Sequence, residues 1–90
     1  MKHIPLKNGS WYDPTGCCSI GGLWKRNRPF EWLYVTRSGR FILRRQRSRK
    51  SWELVDRELT HPQALRWLRN NGWSPETLQN ALQEVAHGAR

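Results

Sequence analysis

The sequence predicts an α+β fold: a three-stranded antiparallel sheet, open to extension by an N-terminal hairpin, packed against a C-terminal pair of helices. Three observations predict it. Residues 31–45 carry two aromatic and β-branched runs around Arg37-Ser38-Gly39, the pattern of a β-hairpin. Residues 60–87 repeat apolar side chains at helical spacing and contain two helix-start signals. Six tryptophans in 90 residues supply large rings for a core, although only 37% of the chain is hydrophobic. This length suits one domain. It divides into an irregular arm or weak hairpin over 1–24, a basic antiparallel sheet over 25–56 and a helical hairpin over 60–87.

In the arm, Asp13-Pro14-Thr15-Gly16 has the composition of a type I turn. Ser10-Trp11-Tyr12 before it and Cys17-Cys18-Ser19-Ile20 after it read as short strands. Gly21-Gly22 is expected to end the second of these, and Trp11 and Trp24 to pin the arm to the core.

The central hairpin has a register that can be argued. A two-residue turn of type I′ would force Ser38 to positive φ, and type II′ would place glycine first. A three-residue loop with Gly39 in the left-handed position suits the residues better. That register pairs Thr36 with Arg40, Tyr34 with Ile42 and Trp32 with Arg44. It sorts Leu33, Val35, Phe41 and Leu43 onto one face, and Trp32, Tyr34, Thr36, Arg40, Ile42 and Arg44 onto the other. A one-residue slip would put arginines on both faces. A third strand is expected at 51–55 after the basic loop 46–50.

The C-terminal third is better punctuated. Thr60-His61-Pro62-Gln63 reads as a capping box with proline in the first turn, where it is tolerated. Ala64, Leu65 and Leu68 form a stripe, and Asn71-Gly72 ends the helix. Ser74-Pro75 opens a second helix with Leu78, Ala81, Leu82 and Val85 on one side and Gly88 as a stop.

The net charge is +9, and all of that excess lies in residues 25–50. Lys25, Arg26, Arg28, Arg37, Arg40, Arg44, Arg45, Arg47, Arg49 and Lys50 stand there against one acid, Glu31. Localised charge makes a directional field that attracts phosphates or an acidic protein surface. Guanidinium groups also bind phosphate oxygens in pairs and stack on bases. The plainer reading is a solvated face kept soluble by like charge.

Catalytic and metal chemistry find little support. Cys17 and Cys18 are adjacent, whereas a zinc site wants spaced cysteines and further ligands, and His3, His61 and His87 are scattered. Neighbouring cysteines cannot staple distant segments, so two thiols in a reducing cytoplasm are expected. No acidic cluster suits a metal-dependent nuclease, and Gly21-Gly22 lacks a phosphate-loop motif. No cofactor, metal or enzymatic activity is expected. No apolar run is long enough to span a bilayer and no secretory leader is visible, so membrane association is not expected.

Two binding surfaces compete. The C-terminal helices suggest a helix-turn-helix, but residues 75–86 carry Glu76 and Glu84 and no lysine or arginine, which disfavours entry into a phosphate-walled groove. The stronger constellation is the sheet face with Trp32, Tyr34, Arg40 and Arg44, flanked by Arg37 and the 45–50 loop. Its competing reading is that the arm covers Trp32 and Tyr34.

Sheet-then-helix order over residues 31–72 resembles, in topology, the small β-β-β-α DNA-binding modules such as the arm-binding domains of phage tyrosine recombinases. That resemblance implies a sheet that enters the major groove. The expected function is non-enzymatic nucleic-acid binding, DNA ahead of RNA, through an arginine-rich sheet face and loop. The alternative is a small basic inhibitor or adaptor of the mobile-element type, docking on an acidic surface of a protein or nucleoprotein machine.

Overall fold

The same turn chemistry shapes two hairpins of the chain. In the computed structural model, which describes residues 3–6, 8–23, 26, 28–51 and 53–87, the Thr36 N–H donates to the Arg40 carbonyl at 2.8 Å and the Gly39 N–H to the Thr36 carbonyl at 2.9 Å. Leu6, Gly9 and Ser10 repeat that pattern, with Leu6 N–H on the Ser10 carbonyl at 2.8 Å and Gly9 N–H on the Leu6 carbonyl at 3.1 Å. Gly39 at φ +84° and Gly9 at φ +85° occupy the left-handed position that closes each loop.

The first hairpin pairs β1 (Ile4–Pro5) with β2 (Trp11–Tyr12) as a small two-stranded sheet. The larger sheet is an antiparallel meander of β3 (Cys18–Leu23), β4 (Glu31–Val35), β5 (Phe41–Gln46) and β6 (Leu54–Leu59), hydrogen-bonded in chain order. Two helices come after it, α1 (His61–Asn70) and α2 (Pro75–His87). The α+β class agrees with expectation. The large sheet has four strands, not three, and the fourth comes from the N-terminal arm. The β4–β5 register is the expected one, with Trp32 opposite Arg44 and Tyr34 opposite Ile42.

Three expectations from the sequence need correction. The segments flanking Asp13–Gly16 do not pair with each other: Trp11–Tyr12 pairs back to Ile4–Pro5, while Cys18–Leu23 joins β4. The turn sits one residue later than expected: the Cys17 N–H donates to the Pro14 carbonyl at 3.2 Å with Gly16 at φ +73°, Asp13 Oδ1 accepts from the Thr15 N–H at 2.9 Å, and the turn carries the chain from one sheet to the other. The last strand runs 54–59 rather than 51–55, because Val55, Arg57 and Leu59 continue the alternation up to the Thr60 cap. Trp24, Lys25, Trp52 and Gly88 lie outside the described residues.

The third correction concerns Gly21 and Gly22, which belong to β3 instead of ending it. A Cβ on Gly21 would lie 3.0 Å from the Trp73 indole, and one on Gly22 would lie 3.3 Å from that of Trp32. The two rings cover the bare backbone from opposite faces and replace the side chains that glycine lacks. A bulge between Ser19 and Gly21 adjusts the register along β3.

The main core lies between the helices and one sheet face. Ile20, Leu33, Val35, Phe41, Leu43 and Leu59 meet Ala64, Leu68, Leu78, Ala81 and Val85 there. Fixed caps hold the helices against it. Thr60 and Gln63 complete the capping box. At the other end the Trp73 N–H reaches the Leu68 carbonyl at 2.8 Å, a Schellman closure that turns the chain into α2. A second, smaller core of Leu6, Tyr12 and Ile42 sits on the opposite face. Among the described residues no helix is long and apolar enough to cross a membrane.

Candidate functional site

β5 distributes its arginines to both faces of the sheet, since successive side chains alternate. Arg40 and Arg44 fall on the face covered by the N-terminal hairpin. Arg44 makes a two-pronged pair with Asp56, Nε to Oδ1 at 2.9 Å and Nη2 to Oδ2 at 3.0 Å. The Tyr12 hydroxyl donates to Asp56 Oδ2 at 2.8 Å and accepts from Arg44 Nη2 at 3.3 Å. Burial, reinforced by the Asp56 carboxylate, pushes the Tyr12 phenol well above its ordinary value. Arg40 grips Glu58 at 2.7 and 3.0 Å, and also donates to the Trp11 carbonyl at 2.7 Å and to Ser10 Oγ at 3.2 Å. The Arg40 hydrogen bonds hold the Glu58 carboxyl below its ordinary range.

These contacts make the hairpin a strap across the expected binding face. Ile42 beneath it is fully buried. Tyr34 is half-buried, with its phenol raised by desolvation. Trp32 is half-buried over Gly22 and packs edge-on against Phe30, ring centres 5.7 Å apart. The side chains expected to bind a ligand here, Arg40 and Arg44, are engaged by Glu58 and Asp56 within the protein. The sequence offered little warning, because Tyr12 and Asp56 are 44 positions apart.

The other described basic residues of this segment divide into four groups. Arg37 lies in the β4–β5 turn with its aliphatic stem across Gly16. Arg26, Arg28, Arg49 and Lys50 are exposed, with Arg49 donating to the Arg26 carbonyl at 3.4 Å. Arg47 is exposed and paired with Glu53 at 3.0 Å. Arg45, on the helix-side face, lines a cleft of about 360 Å³ with Leu43, Arg47, Val55, Arg57 and Trp67.

A second cleft of about 230 Å³ continues along α1, lined by Arg57, Gln63, Arg66, Trp67 and Asn70 among others. Arg57 and Trp67 line both, so together they form one groove between the edge strand β6 and helix α1. Arg45, Arg57 and Arg66 are exposed and have no ion-pair partner among the described residues. Glu31 faces the same groove, but its carboxylate accepts from the Trp67 indole N–H at 3.2 Å and fixes that ring. Arg57, Arg66 and Trp67 were not among the residues the sequence singled out. Two signals pointed to them: Arg57 interrupts the apolar side of β6, and Gln63, Arg66 and Asn70 fall on one side of α1 at spacings of three and four.

The two cysteines lie outside this groove. Cys17 and Cys18 are free thiols, both raised by burial, and Cys18 Sγ approaches Glu84 Oε2 at 3.4 Å. Among the described residues no group of three or more His, Cys, Asp or Glu side chains is placed to hold a metal ion. No family model, curated protein or solved structure matches the chain.

Proposed function

We propose that the protein is a non-enzymatic nucleic-acid-binding module whose phosphate contacts come from the β6–α1 groove and the basic loop after β5. The observation that supports this best is the state of its charges. Asp56, Glu58 and Glu53 are paired with arginines, Asp13, Glu31 and Glu84 accept other hydrogen bonds, and Glu76 sits in the first turn of α2. The acids are thus occupied, while Arg45, Arg57 and Arg66 point uncompensated into one groove beside Arg47. A field of that kind draws phosphates and orients them. The reading keeps the arginine–phosphate logic of the sequence but moves it from the strapped face to the groove.

The test is a salt titration of binding to DNA, followed by RNA. Each duplex phosphate neutralised contributes a log–log slope of about −0.9, so four to six contacts give about −4 to −5. Affinity that stays flat across salt rules out nucleic acid as the ligand. One observation favours the second reading, an inhibitor or adaptor of the mobile-element type docking on an acidic protein: the groove floor contains Leu43 and Val55. That reading prevails if no DNA or RNA is shifted at low salt while one acidic protein co-purifies from the native host.

A further inference from the structure

The groove has an aromatic wall as well as arginines, and this narrows the form of nucleic acid it fits. Trp67 is half-buried against the main core and is common to both clefts. Its indole N–H is tied to Glu31, so the ring is held in one orientation before any ligand arrives. Arg45 and Arg57 stand on the sheet side of this ring and Arg66 on the helix side. The larger cleft, about 360 Å³, matches the smaller end of small-ligand pockets. It has room for a base and its sugar.

We propose that the groove binds a single strand of nucleic acid, with one unpaired base packed against Trp67 and the flanking phosphates held by Arg45, Arg57 and Arg66. This rests on the nucleic-acid reading above and specifies the ligand of the same site. An aromatic side chain between cationic ones is the arrangement that grips single strands without reading sequence, because every base has a face to stack. A duplex keeps its base faces covered and can offer the groove only its phosphates. Glu31 is the one carboxylate on the wall among the described residues, and its bond to the indole directs it toward the ring edge.

The experiment compares a short oligothymidylate, an oligouridylate and a duplex of equal length on the intact protein at one salt concentration. Either single strand should bind about tenfold or more tightly than the duplex, and the two single strands report whether DNA or RNA is preferred. Trp67→Leu keeps apolar bulk and should weaken single-strand binding about tenfold and duplex binding by much less, the latter only through the Glu31 carboxylate it releases. Since that variant removes a core contact, ultraviolet cross-linking of oligothymidylate to the unaltered protein, mapped by mass spectrometry, supplies an independent readout. Cross-links should fall at Trp67. Equal binding of strand and duplex, or cross-links confined to Trp11 and the strap, overturns the single-strand proposal and leaves the nucleic-acid reading standing. Failure of all three probes to bind at low salt overturns that reading itself.

Discussion

Arg44 and Arg45 are consecutive in β5 and have opposite fates. Arg44 turns toward the strap, where Asp56 and Tyr12 satisfy it and where its guanidinium is held charged by their contacts. Arg45 turns toward the helices, beyond the end of the apolar core, and meets the open groove. One face of the sheet uses its arginines to fasten the N-terminal hairpin, and the other leaves them available. Composition alone makes these residues equivalent. What separates them is the parity of the strand and the acids that β6 places opposite: Arg44 faces Asp56 across the ladder, whereas Arg45 faces Val55.

Stability measurements can break this contrast, beginning with the largest effect. Arg44→Ala leaves the Asp56 carboxylate buried and short of its cation, which should cost about 3 kcal/mol by denaturant unfolding. Pairing Arg44→Met with Asp56→Leu should recover much of that loss. A silent Arg44→Ala means that the strap is not fastened there. Ile42→Ala should cost about 2–3 kcal/mol, nearly as much as a helix-side core truncation, because the strap buries it completely. A loss below about 1 kcal/mol would show that face to be open to water.

Smaller changes sharpen the comparison. Tyr12→Phe removes one hydroxyl bond and should cost about 1 kcal/mol at neutral pH. Its alkaline signature is more specific. The folded-state pKa lies above the ordinary value of 10.0, so the stabilisation is complete below that pH and is lost as pH rises toward the folded value. Tyr12→Phe should therefore flatten the alkaline limb of the stability profile. Glu58 has the opposite sign. Its lowered pKa gives stability above the ordinary carboxylate value of 4.5, lost as pH falls through the folded value. Arg40→Ala should diminish that acid limb. Arg45→Ala, at the small end, should shift stability by less than about 0.5 kcal/mol, yet reduce the salt slope of nucleic-acid binding by about one. If Arg40→Ala changed that slope and Arg45→Ala did not, the assignment of faces would be reversed.

Local signals in the sequence were good guides wherever a few neighbouring residues determine the outcome. Gly39 determined the β4–β5 register, Thr60 and Gln63 marked the start of α1, and Ser74-Pro75 opened α2. Distant partners were the obstacle elsewhere. β3 looked broken because glycine has poor strand propensity, and the rings that compensate for it, Trp32 and Trp73, come from β4 and the α1–α2 connection. The start of β6 was misplaced because 51–55 also alternates. The candidate groove was half visible. Arg45 and the 47–50 loop stood out by charge density, whereas Arg57, Arg66 and Trp67 belong to a segment with no net basic excess. They join the site only when α1 packs beside β6.

The meander also bears on how the chain reaches its fold. Every strand of the large sheet bonds to its neighbour in sequence, so each ladder can zip from a nearby turn with little loop-closure entropy. The exception is α2, which packs on β3 and brings the Trp73 indole onto Gly21, joining the two ends of the architecture. That closure is long-range in sequence and carries the larger loop-closure entropy, so it is expected to form late. Trp73→Ala should then accelerate unfolding while leaving the folding rate nearly unchanged, as stopped-flow chevron measurements would show.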